Sequence, residues 1–236
     1  MALTSYEVPF TSRFECVKDV GLFRFERPLG YQSRAGQWFR LTLDTREGEQ
    51  TKTFSDAAAP DETTFDLATR LTGSAFKDAL EDLRPYDLVH VAGPGGRLSI
   101  PAEARRVAFL MGGIGVTPAR SMIRDRVRRD DGSVETVLFY GNNDDTCVPF
   151  AEEFDDYSAR LAWFRLVSVI ECPTKEWTGE RGFINADTVR KHIDLTKGWH
   201  FIVAGPPGMI APMQKVLAEL GVDERHATFE SFAGYA

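Results

Sequence analysis

The hydrophobic rhythm of this chain changes once, near residue 101, and that change limits the fold more than any other feature. Before it, "SRFECVKDV", "LFRFERP", "GQWFRLTLD", "TFDLATRL" and "DLVHVAG" alternate apolar and polar residues, as half-buried strands do. Only "GSAFKDALEDL" has helical spacing, with Ala75, Phe76, Ala79, Leu80 and Leu83 on one side. Residues 1–101 therefore read as an antiparallel β-barrel or sandwich with one helix. From residue 105 the apolar runs become compact: "RRVAFLMGG", "VETVLFYGN", "WFRLVSVIE" and "WHFIVAGPP", each leading into a stretch that suits a helix. Strands alternating with helices imply a parallel sheet covered on both faces. The last helix, "PPGMIAPMQKVLAEL", closes at Gly221. The reading is a two-domain chain: a β-barrel over 1–101, an α/β parallel-sheet domain over 105–227, and a tail over 228–236.

Composition removes several classes. With 43% hydrophobic and 27% charged residues among 236, the chain is an ordinary globular one. No window approaches 18 uninterrupted apolar residues, so no membrane span is expected. The start "MALTSYEVPF" lacks the pattern of a signal peptide, and the expected compartment is the cytoplasm. Cys16, Cys147 and Cys172 are scattered without metal-ligand spacing, so neither a metal nor a cysteine-held cluster is expected. A net charge of −7 disfavours nucleic acid. Nothing here sets the oligomeric state.

Two glycine-rich turns carry the chemistry. "AFLMGGIGVTP" (108–118) breaks an apolar strand into three glycines, then Thr117 and Pro118 at a helix start. Glycines at the carboxyl end of a parallel strand let a phosphate reach backbone N–H groups, where the next helix presents its positive end. The same spacing also suits a tight turn that binds nothing. A second turn, "VAGPPGM" (203–209), ends another strand of the same half. Two such turns at one sheet edge suit an elongated ligand such as a dinucleotide. In the β half, "TKTFS" (51–55) offers Phe54 as a stacking face and Ser55 as a hydroxyl, and Gly73, Ser74 and Lys77 stand at a helix start. Taken alone, a core phenylalanine beside a capped helix accounts for those residues better.

Taken in order, these elements resemble the ferredoxin–NADP reductase family of flavoprotein reductases. "KTFS" is similar to the family's R-x-Y-[ST] flavin motif, and "GSAFKDAL" to its pyrophosphate-binding helix start. "LRPYDLVHVAGPGGRLSIP" resembles its L-x-P-G-D-x-V-x-V-x-G-P-x-G segment, "GGIGVTPARSM" its nicotinamide motif and "AGPPGM" its C-G-P-P-x-M. The tail "FESFAGY" is similar to the E-x-F-x-G-Y ending of one branch. The resemblance implies a flavin-binding barrel joined to a nicotinamide-binding α/β domain, with FAD and NADH or NADPH as cofactors. It implies that Lys52, Thr53, Phe54, Ser55, Arg70, Leu71, Gly73, Ser74, Ala75, Phe76 and Lys77 hold FAD, Phe54 along the isoalloxazine and Ser55 near N5. Gly112, Gly113, Gly115, Val116, Thr117, Pro118, Tyr140, Asn142, Asn143, Gly205, Pro206, Pro207 and Met209 would seat the nicotinamide nucleotide. Ser55, Glu230 and Tyr235 would serve catalysis, with Phe232 and Tyr235 of the tail covering the flavin. The chain departs from the pattern at three places: Lys52 for arginine, Phe54 for tyrosine, and Ala204 where many members carry a cysteine.

After "VETVLFYG", where the family binds the adenosine ribose, comes "NNDD" (142–145). A carboxylate about 4 Å from a phosphate costs roughly 4 kcal/mol at an effective dielectric near 20. Asp144 and Asp145 thus favour NADH over NADPH. The expected function is a flavoprotein reductase that passes electrons to a separate soluble acceptor: a ferredoxin, a flavodoxin or an oxygenase component. A free-flavin reductase, and a nucleotide-binding electron-transfer subunit or sensor without catalysis, are the alternatives. Arg120, Arg124 and Arg128 form a helical stripe that reads as a solvated face, or less simply as a dock for an acidic carrier.

Overall fold

The computed structural model describes residues 3–232. The chain divides into two compact units. The first comprises Met1–Ser99 together with Thr117–Arg128, the second Ile100–Val116 and Arg129–Ala236.

The first unit is an antiparallel sheet of β1 (Thr4–Val17), β2 (Val20–Glu26), β3 (Trp38–Thr45), β4 (Gly48–Ser55), β5 (Thr64–Arg70) and β6 (Leu88–Gly95). Its order is β4-β3-β6-β1-β2-β5, so the expected barrel is a curled sheet whose two edges are β4 and β5. Alternation does what the sequence implies: in β6, Val89 and Val91 are buried while Leu88 and His90 face out. The interior is aromatic, with Phe10, Phe23, Phe25, Phe39 and Phe65 all buried. Helix α1 (Ala75–Glu81) adds Phe76 and Leu80 to it. Helix α2 (Thr117–Arg128) follows the glycine turn in sequence yet belongs to this unit by contact.

The second unit is a wholly parallel sheet of order β10-β9-β8-β7-β11-β12. Its strands are β7 (Arg106–Gly112), β8 (Glu135–Asn142), β9 (Phe164–Ile170), β10 (Glu180–Arg181), β11 (His200–Gly205) and β12 (Ala227–Ser231). Helices α3 (Ala151–Arg160), α4 (Ala186–His192) and α5 (Pro207–Glu219) complete it. Val107, Ala108, Phe109, Leu110 and Met111 of β7 are fully buried without alternation, as a central strand covered on both faces requires. The strand order reverses between β7 and β11, and ligands of such sheets sit at that reversal, beyond the carboxyl ends.

Part of the tail is a strand. Residues 227–231, from Ala227 to Ser231, extend the sheet beside β11, with Glu230 paired to Ala204. Tyr235 lies outside the described residues.

Helix α5 ends as its sequence suggests. Gly221 has φ +71°. Its N–H reaches the Ala218 carbonyl at 3.0 Å, and Val222 N–H reaches that of Leu217 at 3.0 Å. These two bonds satisfy carbonyls left over by the helix, and the left-handed residue between them favours glycine. Gly221→Ala should lower unfolding stability by about 1 kcal/mol. A lower urea midpoint at unchanged m would register it.

Candidate flavin and nucleotide sites

In the first unit, the flavin-motif residues share one neighbourhood. Lys52 and Phe54 alternate onto the same face of β4, opposite Leu41 and Phe39 of β3. Phe54 is 5% exposed and belongs to the core. Its ring stacks on Phe76, centroids 5.8 Å apart and planes 30° apart. The Lys77 ammonium stands 4.7 Å over the same ring and donates to the Thr69 hydroxyl. Burial, and then the charge of Lys52, push Lys77 down to about 8. The two cations therefore repel one another, an arrangement that an anion relieves. The start of α1 is capped by Ser74, whose hydroxyl accepts from Lys77 N–H at 3.4 Å. Gly73 is left-handed at φ +68°, and Arg70 is exposed at the end of β5. Leu71 and Ala75 pack inward, and Thr53 is exposed.

Ser55 differs from these. It is 7% exposed, and its Oγ is buried with no hydrogen-bond partner. An unsatisfied buried hydroxyl costs about 1–3 kcal/mol, so its position calls for a partner that the protein itself does not supply. With Lys52 and Lys77 nearby on the barrel, this fits a flavin nucleotide: a ring atom to bond and phosphates to neutralise.

In the second unit the two glycine turns are brought together at the reversal of strand order. A Cβ on Gly115 would lie 3.0 Å from Gly205 Cα and 3.2 Å from the Ala204 carbonyl. Cβ atoms on Gly112 or Gly205 would meet the Met209 sulfur at 2.7 or 2.8 Å. These glycines thus answer first to the protein's own backbone and to Met209, which fills the space they leave. The turn after β7 is a 3-10 segment, Gly113–Val116. Tyr140 is fully buried, and its hydroxyl lies 2.9 Å from the Gly113 carbonyl and 3.1 Å from that of Pro149. Its hydroxyl thus ties the turn to the segment at Pro149. Pro206 and Pro207 open α5 with no side-chain cap, and Pro207 is exposed. That leaves the α5 N–H groups available to an anion.

At the end of β8, Asn142 Nδ2 is buried without a hydrogen-bond partner. Asn143 accepts from Cys172 N–H at 2.7 Å through its backbone. Asp144 accepts from the Thr146 hydroxyl at 2.7 Å, and Asp145 from Thr174 N–H at 2.7 Å and its hydroxyl at 2.6 Å. These donors hold both carboxyls below the usual carboxylate range, so both are charged at neutral pH. Ala204 is fully buried. Beside it, burial raises Glu230 to about 6. Phe232 N–H bonds the Gly205 carbonyl at 3.0 Å, tying the described tail to the second turn.

One expectation is corrected. The arginine stripe of α2 is solvated only at its Arg128 end. Arg120 is 3% exposed, Arg124 pairs with Glu62 at 2.7 Å, and Arg128 with Asp61 at 2.7 Å. The helical period showed the stripe, but not the acidic segment of the barrel that covers it. Thr117 and Pro118, expected at the nucleotide, are both buried and lie on that same helix in the first unit.

A family described as the oxidoreductase NAD-binding domain matches residues 109–215. Ferredoxin–NADP reductase B of Sorangium cellulosum (strain So ce56) is 28% identical over 239 residues, covering 95% of this chain and 98% of its own length. Over nearly its whole length the chain is thus similar to a ferredoxin–NADP reductase. These likenesses make the chain an FAD-dependent NAD(P)H oxidoreductase. NADH-cytochrome b5 reductase 1 of Mortierella alpina is 28% identical over 143 residues, 60% of this chain and 48% of that protein. Among solved structures, a ferredoxin NADP+ reductase from Neisseria gonorrhoeae with bound FAD and NADP has the same fold. Its TM-score is 0.83 at 18% identity, over 96% of this chain and 98% of that one. The cytochrome b5 reductase domain of Ulva prolifera nitrate reductase gives 0.84 at 20% identity, over 96% and 97%.

Gly115→Ala would push a methyl group against backbone that cannot swing away. It should destabilise the reductase by about 1–3 kcal/mol even without nucleotide, which a thermal melt of the ligand-free chain measures.

Proposed function

We propose that this reductase takes a hydride from NADH in preference to NADPH and passes electrons to a separate soluble protein acceptor. The observation that carries the reading is the buried, unpartnered Ser55 hydroxyl on the strand that also bears Lys52 and Phe54. Bound FAD would supply the redox chemistry, accepting two electrons at its N5 and releasing them to the acceptor.

The chain's own residues bind, orient and exclude water. Ser55 donates its hydroxyl to the flavin ring, and Phe54 and Phe76 provide the apolar wall behind it. Lys52 and Lys77, with Arg70 and the Gly73–Ser74 turn, neutralise the phosphates. Lysine brings charge without the fork of arginine, so each cation acts at a single point. On the nucleotide side, the segment from Gly112 to Val116, Gly205 to Pro207 and the uncapped start of α5 receive the pyrophosphate. Asn142 offers its buried amide to the ribose, and Asp144 and Asp145 repel a 2′-phosphate. Glu230 and Phe232 form the tail side of the nucleotide site. Ala204 cannot polarise the nicotinamide as a thiol would, which leaves orientation to the backbone around it.

An anaerobic absorbance spectrum before and after one equivalent of NADH, then NADPH, tests the whole reading. Flavin bands that bleach faster with NADH bear it out. Bands absent at purification, with activity on added flavin, move the reading to a free-flavin reductase, and bands bleached by neither nucleotide refute it. Asp144→Asn with Asp145→Asn removes both charges and keeps one acceptor oxygen at each position. It should raise kcat/KM for NADPH several-fold relative to NADH.

Flavin affinity should also depend on pH. A phosphate beside Lys77 stabilises its ammonium, so the bound-state pKa exceeds the free value of about 8. Binding then takes up a proton above that pH and none below it. The association constant should be flat below about 8 and fall as pH rises beyond it. Lys77→Met should bind more weakly and lose this slope, as fluorescence titration across pH would measure.

A further inference from the structure

Inside the first unit, α2 is joined to the segment that follows the flavin strand by buried polar bonds. Ser55 ends β4, and Asp56, Ala57, Ala58 and Ala59 come next, the three alanines fully buried. One nitrogen of the Arg120 guanidinium donates to the Ala57 carbonyl at 2.9 Å and to Asp66 at 3.1 Å. The Ser121 hydroxyl donates to the Ala58 carbonyl at 2.6 Å. Asp66 is fully buried and also accepts from Arg24 at 3.0 Å. The small alanine side chains leave both carbonyls open to the helix. Thr117, which begins α2, lies one turn before Arg120 on the same helix face.

We infer that Arg120 is a positioning residue for hydride transfer: gripping Ala57 and Asp66, it fixes Thr117 at a set distance from Ser55. The inference rests on the function proposed above, with Ser55 at the flavin and Thr117 following directly on the Gly112–Val116 segment that receives the nucleotide. From Ser55 to Ala57 the chain runs two residues, and from Arg120 to Thr117 one turn of rigid helix, so the buried bonds are the short link between the groups. Side-chain bonds of this kind serve geometry rather than binding. A shift of about 1 Å between reacting partners can cost a hundredfold in rate with little loss of affinity for either. Ser121 acts through its neighbour in the same way, one carbonyl further along.

The 236-residue chain and three variants of it test this: Arg120→Met, Arg120→Lys and Ser121→Ala. Lysine can donate both bonds from one nitrogen, as Arg120 does; methionine can donate neither. Three readouts separate position from fold: FAD and nucleotide dissociation constants, the single-turnover rate of anaerobic flavin bleaching, and amide hydrogen exchange in the flavin-free chain. For Arg120→Met, both dissociation constants should stay within about twofold and bleaching should slow by roughly ten- to a hundredfold. Exchange should quicken over 113–121 and not in the strands of the first unit. Arg120→Lys should recover most of the rate, and Ser121→Ala should lie between. Bleaching at the wild-type rate in Arg120→Met, or slowing matched by weaker binding, overturns the inference, as does Arg120→Lys no better than Arg120→Met. A wild-type chain that binds flavin but is not bleached by NADH or NADPH overturns the proposed function instead, and the inference with it.

Discussion

Two buried carboxylates organise the first unit. Asp56 and Asp66 are each removed from water, which by itself is costly for a charge, so each is surrounded by donors. Asp56 receives Arg27 at 2.7 Å and the N–H groups of Ala58 and Asp66 at 3.0 and 3.1 Å. Burial still dominates and pushes it up to about 6. Asp66 lies between Arg24 of β2 and Arg120 of α2. The chain after β4 is thereby held by its own carboxylates, the neighbouring strands and a helix from far along the sequence. Removing one member leaves a buried charge uncompensated, which costs far more than the pair contributes. The polar end of the flavin strand is consequently fixed in a way that apolar packing alone would not fix it.

The second unit depends on a different constraint, close backbone approach. Gly115 and Gly205 are ninety residues apart in sequence and nearly touch. Met209 fills the remaining space with an adaptable side chain. Glycines in these turns are usually credited to a phosphate. Here the protein's own chain requires them before any ligand arrives, and the same requirement leaves the N–H groups of the turn and of α5 at one edge.

How legible this was from sequence varied with how local the cause is. Alternation in "LFRFERP" and "DLVHVAG", and the compact run of β7, gave strands because burial of one face or both is written into neighbouring residues. The flavin strand β4 was visible only as a motif: "GEQTKTFS" is largely polar and exposed on an edge strand, so no apolar rhythm marks it. The tail strand β12 was missed as a strand because four half-buried residues and an exposed serine beside β11 show no alternation to announce pairing. Of the candidate sites, the residue types were readable and their neighbours were not. Ser55 could be named from its motif, but its lack of a partner could not. Arg120 stood out by spacing, while its partner Asp66 sits 54 positions earlier. Tyr140 was named only through the resemblance, and its hydroxyl lies against two carbonyls that the sequence does not place beside it.

That α2 belongs by contact to a unit whose other part ends at Ser99 has a consequence for how the protein is made. During synthesis the β-sheet segment emerges first, with Asp66 already in the chain but Arg120 still unformed. The first unit can close over its buried carboxylate only after residue 120 has left the ribosome. By then the first strand of the second unit has also been made. Neither unit is a contiguous stretch that can be cut out and moved, so their inheritance, like their folding, is tied together by one helix.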